Sequence, residues 1–401
     1  MQCDYFDAGV CRSCTLMGVP YAVQLADKGT HLREVLAGQV AESVWLDSFP
    51  NTESRFRNRA KLVVAGRKGA PTLGILDEQG RGVDLRHCGL YEPGLAEAVP
   101  ILAELISGSG LTPYDVPTRQ GELKHLLVTH SPDGELMIRF VLRSPGQQRR
   151  VEELIPTLHA ALPGTRVVSV NLQPEHKAVL EGEQEEVLTE ADTLPMRVND
   201  ITLHLRTRSF FQTSTAVAAA LYSQAREWAV DLNHDPATAC GDLSPAKVLD
   251  LYCGVGGFAL HLAAPGREVF GVEVSPEAVT SARTSAAELL STGAPDRPEQ
   301  VSFEIGDAAA YLGPGLTRGS GTIGERGWDL VVVNPPRRGI GPLAATLEAS
   351  EVERVIYSSC NASTLARDLA QMPSYRVVAA RLFDMFPQVH HHEVMVDLRQ
   401  V

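Results

Sequence analysis

Residues 354–364, RVIYSSCNAST, put a cysteine where it can do chemistry. Val355, Ile356 and Tyr357 have the apolar, β-branched and aromatic character of a short buried strand. Ser358, Ser359 and Asn361 break it into a polar turn, and the residues after Ser363 read as a helix. Cys360 therefore stands just beyond the carboxyl end of a strand in an α/β pattern. Ligands bind at that edge of an open parallel sheet. A thiolate there is a strong nucleophile. Most free cysteines are small buried hydrophobes, so the assignment has to be carried by the rest of the chain.

A second constellation starts at Lys247. VLDLYCGVGGFALHLA is a buried strand, a turn with Gly254, Gly256 and Gly257, and then a helix. Such a turn lets backbone approach a ligand at a helix N-terminus. Glu273 closes the next strand, 19 residues after Gly254, near the roughly 20 expected of an acid that accepts both ribose hydroxyls. Asp307 and Asn334 stand at the ends of the two strands that follow. The D-L-x-C-G-x-G-G form, without a full G-x-G-x-x-G, points to S-adenosylmethionine rather than a dinucleotide. Asp307 reads equally as an adenine contact or as a helix N-cap.

Cys3, Cys11 and Cys14 give C-x7-C-x2-C at the N-terminus, and Cys88 follows in LRHCGLY. Four thiolates hold a cubane iron–sulfur cluster or a structural zinc. On spacing alone both remain open. Cys240, in a polar linker, reads as idle.

The elements that must position these residues follow from the pattern. The chain has 401 residues, enough for two or three domains, with 44% hydrophobic and 21% charged residues, the profile of a globular protein. No apolar run reaches the length of a membrane span. MQCDYFDAGVCRSC lacks a basic start and an apolar signal core, so the cytoplasm is the expected compartment. Seven cysteines in a reducing compartment argue against a disulfide framework. The net charge of −13 weighs against indiscriminate nucleic-acid binding. Two local clusters run the other way. Arg55, Arg57, Arg59, Lys61, Arg67 and Lys68 occur with no Asp or Glu among them, and Arg139, Arg143, Arg149 and Arg150 form a looser group. Together they suggest a site for a polyanion.

Residues 1–195 read as an α+β region. Helices are expected over 20–40 and 92–108. LVVAG and PTLGILD form one hairpin, and ELKHLLVTHSPDGELMIRFVLRS forms another, turning at Pro-Asp-Gly. RVEELIPTLHAAL is helical, and RVVSVNLQP and ITLHLRTRSFFQT read as further strands. Residues 196–401 change character. A helix over 215–230 and a linker over 231–246 lead to strand–turn–helix units that end in two last strands, in YRVVAARLFDMFPQVHHHEVMVDLRQV. This is a doubly wound α/β sheet. His390, His391 and His392 read as a solvated run, because successive strand residues face opposite ways.

SFFQT, DLYCGVGGF, GVEVS, NPPRRGIG, SSCNAST and FPQVHHHEV occur in an order that resembles the RNA uracil-carbon-5 methyltransferases of the TrmA/RumA type. The matching pieces span about 209–395, and the N-terminal cysteines match as well. Within that family the branch acting on 23S rRNA is nearest. The chain starts at the first cysteine motif and leaves no room for the N-terminal β-barrel of another branch. The tRNA-specific branch lacks the cysteine set.

The resemblance implies a class I S-adenosylmethionine methyltransferase fold, with an N-terminal region that carries an iron–sulfur site and an RNA-binding surface. It implies a [4Fe-4S] cluster on Cys3, Cys11, Cys14 and Cys88, S-adenosyl-L-methionine as methyl donor, 23S rRNA as partner, and a monomer. Cys360 resembles the nucleophile that adds to uracil carbon 6. Glu393 resembles the base that removes the carbon-5 proton. Gln212, Tyr252, Glu273 and Asn334 resemble the cofactor contacts.

Overall fold

The structure is a computed structural model, and it describes residues 1–233, 246–291, 300–308, 327–350 and 352–401. Most of the polar linker, with Cys240, and the Gly-rich loop before Trp328 lie outside the described residues.

Two large sheets organise the described chain. The first contains β1 (Arg59–Arg67), β2 (Ala70–Leu76), β3 (Gly82–Asp84), β4 (Leu123–His130), β5 (Leu136–Leu142), β6 (Thr165–Leu172) and β7 (Gln184–Val187), in the order β3-β2-β1-β4-β5-β6-β7. Both expected hairpins are present as β1–β2 and β4–β5. β5 and β6 run parallel, which needs a crossover, supplied by α4 (Gln148–Ala161). α4 and α3 (Pro93–Gly108) cover one face, where Leu62, Leu126, Ile138, Phe140, Val168 and Val170 meet Leu95, Leu102, Val151 and Leu158. β3 and β7 are short, and the sequence pattern missed both.

The second sheet contains β10 (Ala246–Leu251), β11 (Arg267–Glu273), β12 (Gln300–Ile305), β13 (Leu330–Val333), β14 (Arg354–Ser359), β15 (Tyr375–Phe383) and β16 (Glu393–Gln400), in the order β12-β11-β10-β13-β14-β16-β15. The first five are parallel, and β16 pairs antiparallel with both β14 and β15. This is the doubly wound α/β arrangement expected from sequence. Its strands read as continuous apolar runs because both faces are covered. In β13, Leu330 and Val332 face one layer, while Val331 and Val333 face the other. The first layer holds α5 (Thr215–Trp228), α6 (Gly257–Leu262), α7 (Pro276–Ser291) and the hairpin β8 (Leu194–Val198) to β9 (Ile201–Leu205). β9 stops at Leu205, so the RSFFQT stretch is a turn rather than the expected strand. Ser209 Oγ accepts from Arg206 N–H at 3.3 Å, and Ser209 N–H donates to Arg206 C=O at 3.0 Å.

The second layer is shared with the N-terminal part of the chain. Leu32 of α2 (Tyr21–Val35), together with Leu36 and Val40, packs among Leu249, Val331, Leu365 and Leu382. Residues 45–49 then bridge the edge strand β15, with Leu46 N–H bonding Ala380 C=O at 2.8 Å and Phe49 N–H bonding Leu382 C=O at 2.7 Å. The exposed edge of the sheet is thereby capped by the chain's own backbone.

Gly271 in β11 sits where the glycine turn packs closest. A methyl group there would lie 2.4 Å from Phe303 Cδ1 and 3.0 Å from Cys253 Sγ. Gly271→Ala is therefore expected to destabilise the chain by about 1–3 kcal/mol through overpacking, seen as a lower midpoint in thermal or urea unfolding.

Candidate active site

Cys360 follows β14 directly, and α9 (Ala362–Leu369) begins two residues later. Asn361 caps that helix by accepting from Ser363 N–H at 3.1 Å, which satisfies one of its orphan donors. β14 pairs with β16 in the register Ser358↔Met395 and Ser359↔Val394. Continued by one residue, that antiparallel register brings Cys360 and Glu393 opposite each other. Glu393 is the first residue of β16 and is 3% exposed. Burial pushes its carboxyl up to about 7, against a hydrogen bond from Ser358 Oγ at 2.8 Å. The Cys360 thiol is half-buried. Its pKa is raised first by burial and then by the neighbouring Glu393, while Arg337 pulls it back. The structure thus brings Cys360 and Glu393 together, although 33 positions separate them in sequence.

Arg337 was not singled out from sequence. It lies in NPPRRGIG, the loop after β13, and this loop is stitched to α9. Asn361 Nδ2 and Thr364 Oγ1 each donate to Arg337 C=O at 3.2 Å, and Ile340 N–H donates to Asp368 Oδ2 at 2.8 Å. Gly339 in this loop has φ +78°, and a Cβ there would meet Asp368 Oδ2 at 2.3 Å. Two adjacent arginines at a strand end were the available signal. Ser358 was hidden for a different reason: only the tertiary register reveals what a strand serine faces.

The glycine turn is built as the sequence suggested. Tyr252, Gly254 and Gly256 all have positive φ, at 62°, 54° and 85°, and Gly256 precedes α6. Gly254 N–H donates to Glu273 Oε2 at 3.3 Å and Ser275 N–H to Glu273 Oε1 at 2.9 Å. Glu273 therefore stands across the mouth of the turn. Tyr252 is half-buried, and its hydroxyl is raised by burial and then by Asp307, with Glu273 a smaller contributor. Tyr252, Glu273 and Asp307 share one edge of the sheet. Asp307 lies two residues beyond the end of β12 and is exposed; the segment that it was expected to cap lies outside the described residues. Asn334 follows β13, its N–H on Leu251 C=O at 3.4 Å. Gln212 is buried, and its carbonyl accepts from Asn58 Nδ2 at 3.0 Å. Asp250, also missed from sequence, accepts the Ala259 N–H at 2.9 Å and ties β10 to α6. Full burial drives its carboxyl up to about 8.

A cavity of about 450 Å³ opens beside Cys360. Its walls include Lys28 and His31 from α2, Arg337, and all three histidines 390–392. The expectation of a solvated histidine run needs correction. The three residues lie in the loop before β16 rather than in the strand, so they are free to face one cavity. His390 and His391 are exposed, but His392 is 7% exposed. His391 Nδ1 accepts from Arg337 Nη2 at 2.8 Å.

The second basic cluster also needs correction. Arg139 is fully buried and bonds Glu185 and Glu181, Arg143 bonds Glu122, and Arg149 bonds Glu153. Arg139 is thus withdrawn from solvent, while Arg149 and Arg150 stay exposed, so the cluster's open basic face is smaller than its sequence suggests. In the first cluster Arg55, Lys61, Arg67 and Lys68 are exposed.

Cys3, Cys11, Cys14 and Cys88 are free, half-buried thiols. Tyr5 Oη accepts from His87 N–H at 3.2 Å and docks the N-terminal turn on the loop that carries Cys88. The Cys14 thiol is pushed up to about 11 by burial, and then by Cys88, Cys11 and Cys3. The four residues are therefore neighbours. Among the described residues, however, no group of three or more His, Cys, Asp or Glu side chains closes to metal-holding distances.

Burial of Glu393 has a pH signature. Its folded-state pKa of about 7 exceeds the ordinary 4.5, so the folded chain keeps a proton that the unfolded chain has lost between those values. Stability therefore falls as pH rises from 4.5 to 7, and the full cost is present above 7. Glu393→Gln is expected to stabilise the fold by on the order of 3 kcal/mol at pH 8 and by almost nothing at pH 4.5, as read from denaturant midpoints at the two pH values.

The comparisons agree with this geometry. The chain is 45% identical over its full length, and over the whole of the relative, to the 23S rRNA (uracil(747)-C(5))-methyltransferase RlmC of Halothiobacillus neapolitanus. It is 43% identical to the protein of the same name from Yersinia pseudotuberculosis serotype O:1b, with 98% of each chain covered. Among solved structures, the Pyrococcus abyssi tRNA (uracil-54, C5)-methyltransferase, in complex with S-adenosyl-L-homocysteine, superposes with a TM-score of 0.73. That match covers 96% of this chain and 85% of the other at 23% identity, and it bears on the fold alone. The model of the tRNA (uracil-5-)-methyltransferases matches residues 176–401. With the doubly wound sheet, the glycine turn and the strand-end cysteine already in place, this chain belongs to the tRNA (uracil-5-)-methyltransferase family.

Proposed function

We propose that this chain methylates carbon 5 of a uracil in 23S rRNA, with Cys360 as nucleophile and Glu393 as base. The observation that carries the reading is the pairing of β14 with β16, which sets a thiol beside a buried carboxyl at the sheet edge. The full-length likeness to proteins named for 23S rRNA selects that RNA over tRNA.

Uracil carbon 5 is a weak nucleophile until carbon 6 is attacked. The Cys360 thiolate forms the S–C6 bond, and the C5=C6 electron pair moves toward O4 as an enolate. Gln212, Tyr252, Glu273 and Asn334 would hold S-adenosylmethionine, whose sulfonium methyl would pass to carbon 5 with the S–CH3 electron pair left on sulfur as the thioether S-adenosylhomocysteine. The Glu393 carboxylate then accepts the C5 proton. The C5–H electrons restore the C5=C6 bond, and the thiolate leaves. Arg337 lowers the cost of the thiolate. Glu393 serves as a base in its ionised form, and burial keeps it poised near neutrality. The target base has to leave its stack to reach the thiol, and the exposed arginines and lysines of residues 55–68 support a role in holding the RNA.

Residues 1–195 serve, in this reading, as the RNA-holding and cluster-bearing region, and 196–401 as the methyl-transfer region. Cys3, Cys11, Cys14 and Cys88 would hold a [4Fe-4S] cluster, a closed structural site that brings together the N-terminal turn and the Cys88 loop. Their mutual proximity, half-burial and free thiol state fit such a group. Methyl transfer consumes no electron, so the part of such a cluster would be to fix the fold.

Two measurements test this. RNA carrying 5-fluorouridine should give a stable covalent complex that needs S-adenosylmethionine and is absent in Cys360→Ala; a complex that survives in Cys360→Ala excludes the assignment. Protein purified without oxygen should contain about four iron atoms per chain and lose them in Cys88→Ala, whereas about one zinc per chain would replace the cluster with a structural zinc site.

A further inference from the structure

Loop 384–392, which joins β15 to β16, is held almost wholly by the N-terminal part of the chain. Lys28 Nζ donates to Asp384 Oδ1 at 2.7 Å and to Phe386 C=O at 3.0 Å. The Lys28 and Asp384 side chains are 3% and 0% exposed. His31 meets the ring of His392 edge-on, with centroids 6.4 Å apart.

Between these points lies Gln388, which is 1% exposed and has φ +70°. A non-glycine residue holds such a conformation only where its surroundings over-determine it. Here they do. Gln388 N–H donates to Gln24 Oε1 at 3.0 Å, and Gln388 Oε1 accepts from Gln24 Nε2 at 3.1 Å. Gln388 C=O accepts from Leu16 N–H at 2.9 Å, and Gln388 Nε2 donates to Glu53 C=O at 3.1 Å. Every polar group of this strained residue is met by residues 16–53. Gln24 Nε2 is itself fixed by Val19 C=O at 2.8 Å. Five residues after Gln388 comes Glu393, whose carboxyl needs correct placement and, among the described residues, has one side-chain hydrogen bond, from Ser358.

We propose that Gln24 is a positioning residue for proton removal. By bracing Gln388 it fixes the shape of loop 384–392, and so places the Glu393 carboxylate against the carbon-5 proton. The inference rests on the assignment of Cys360 and Glu393 above. It makes the helix that follows the cysteine motif a working part of the methyl-transfer site. An amide that accepts from and donates to its partner at once gives one geometry for the loop rather than several.

The steps of the reaction can be read separately. A 5-fluorouridine adduct requires thiol addition and methyl transfer, but fluorine cannot leave as a proton, so the base is not needed. Release of tritium from RNA labelled at carbon 5 of uridine requires all the steps. Full-length Gln24→Ala and Gln388→Gly serve as variants; glycine accepts φ +70° without strain and removes only the side-chain bonds. Each should release tritium about tenfold or more slowly, while adduct formation stays within about twofold of the unaltered chain. Slowing of both readouts in proportion, a larger loss in adduct formation, or no loss in either overturns the proposal. If the unaltered chain forms no adduct, the assignment of Cys360 fails first and the bracing role falls with it.

Discussion

Everything at the sheet edge depends on the antiparallel pairing of β16 between β14 and β15. A parallel sheet alone would leave Cys360 at a strand end with no carboxyl beside it. The reversed strand enters from the same edge, so its first residue, Glu393, lies next to the last turn of β14. The same pairing buries Glu393, and burial is what lifts its pKa to about 7. A solvated glutamate would be fully ionised but a weaker base. The fold thus accepts a stability cost above neutral pH in return for a carboxylate of raised basicity, a trade expected where function and stability compete.

The thiol is subject to opposite pressures. Burial and Glu393 raise it, and Arg337 lowers it. Arg337 is fixed by a loop whose backbone is tied to α9, so the cation is placed by the helix that begins beside the thiol. This arrangement links the NPPRRGIG and SSCNAST stretches physically: one carries the charge, and the other carries both the Cys360 thiol and the groups that hold the charge in place.

Much of this was legible in the chain, and the reasons differ by element. The strand–glycine–helix units could be read because both local signals agree: apolar runs of strand length, and glycines where φ is positive. Cys360, Glu273 and Asn334 could be placed at strand ends for the same reason. The pairing of Cys360 with Glu393 came from resemblance rather than from pattern, since a register between β14 and β16 leaves no local mark. Arg139 shows the converse limit. In sequence it is one more basic residue on an alternating strand, but Glu181 and Glu185 fold back over it and remove it from solvent. His392 is similar: it is buried, and its ring is met edge-on by His31 of α2, from the far end of the sequence. The packing of α2 into the second layer of the β10–β16 sheet was not readable either, because its apolar spacing states that a face is buried and not against what.

The most direct test of the central claim is a map of 5-methyluridine in 23S rRNA from cells that lack this protein. Those cells should lose the modification at one uridine and regain it with the unaltered chain, but not with Cys360→Ala. An unchanged map, or restoration by the alanine variant, would contradict the account.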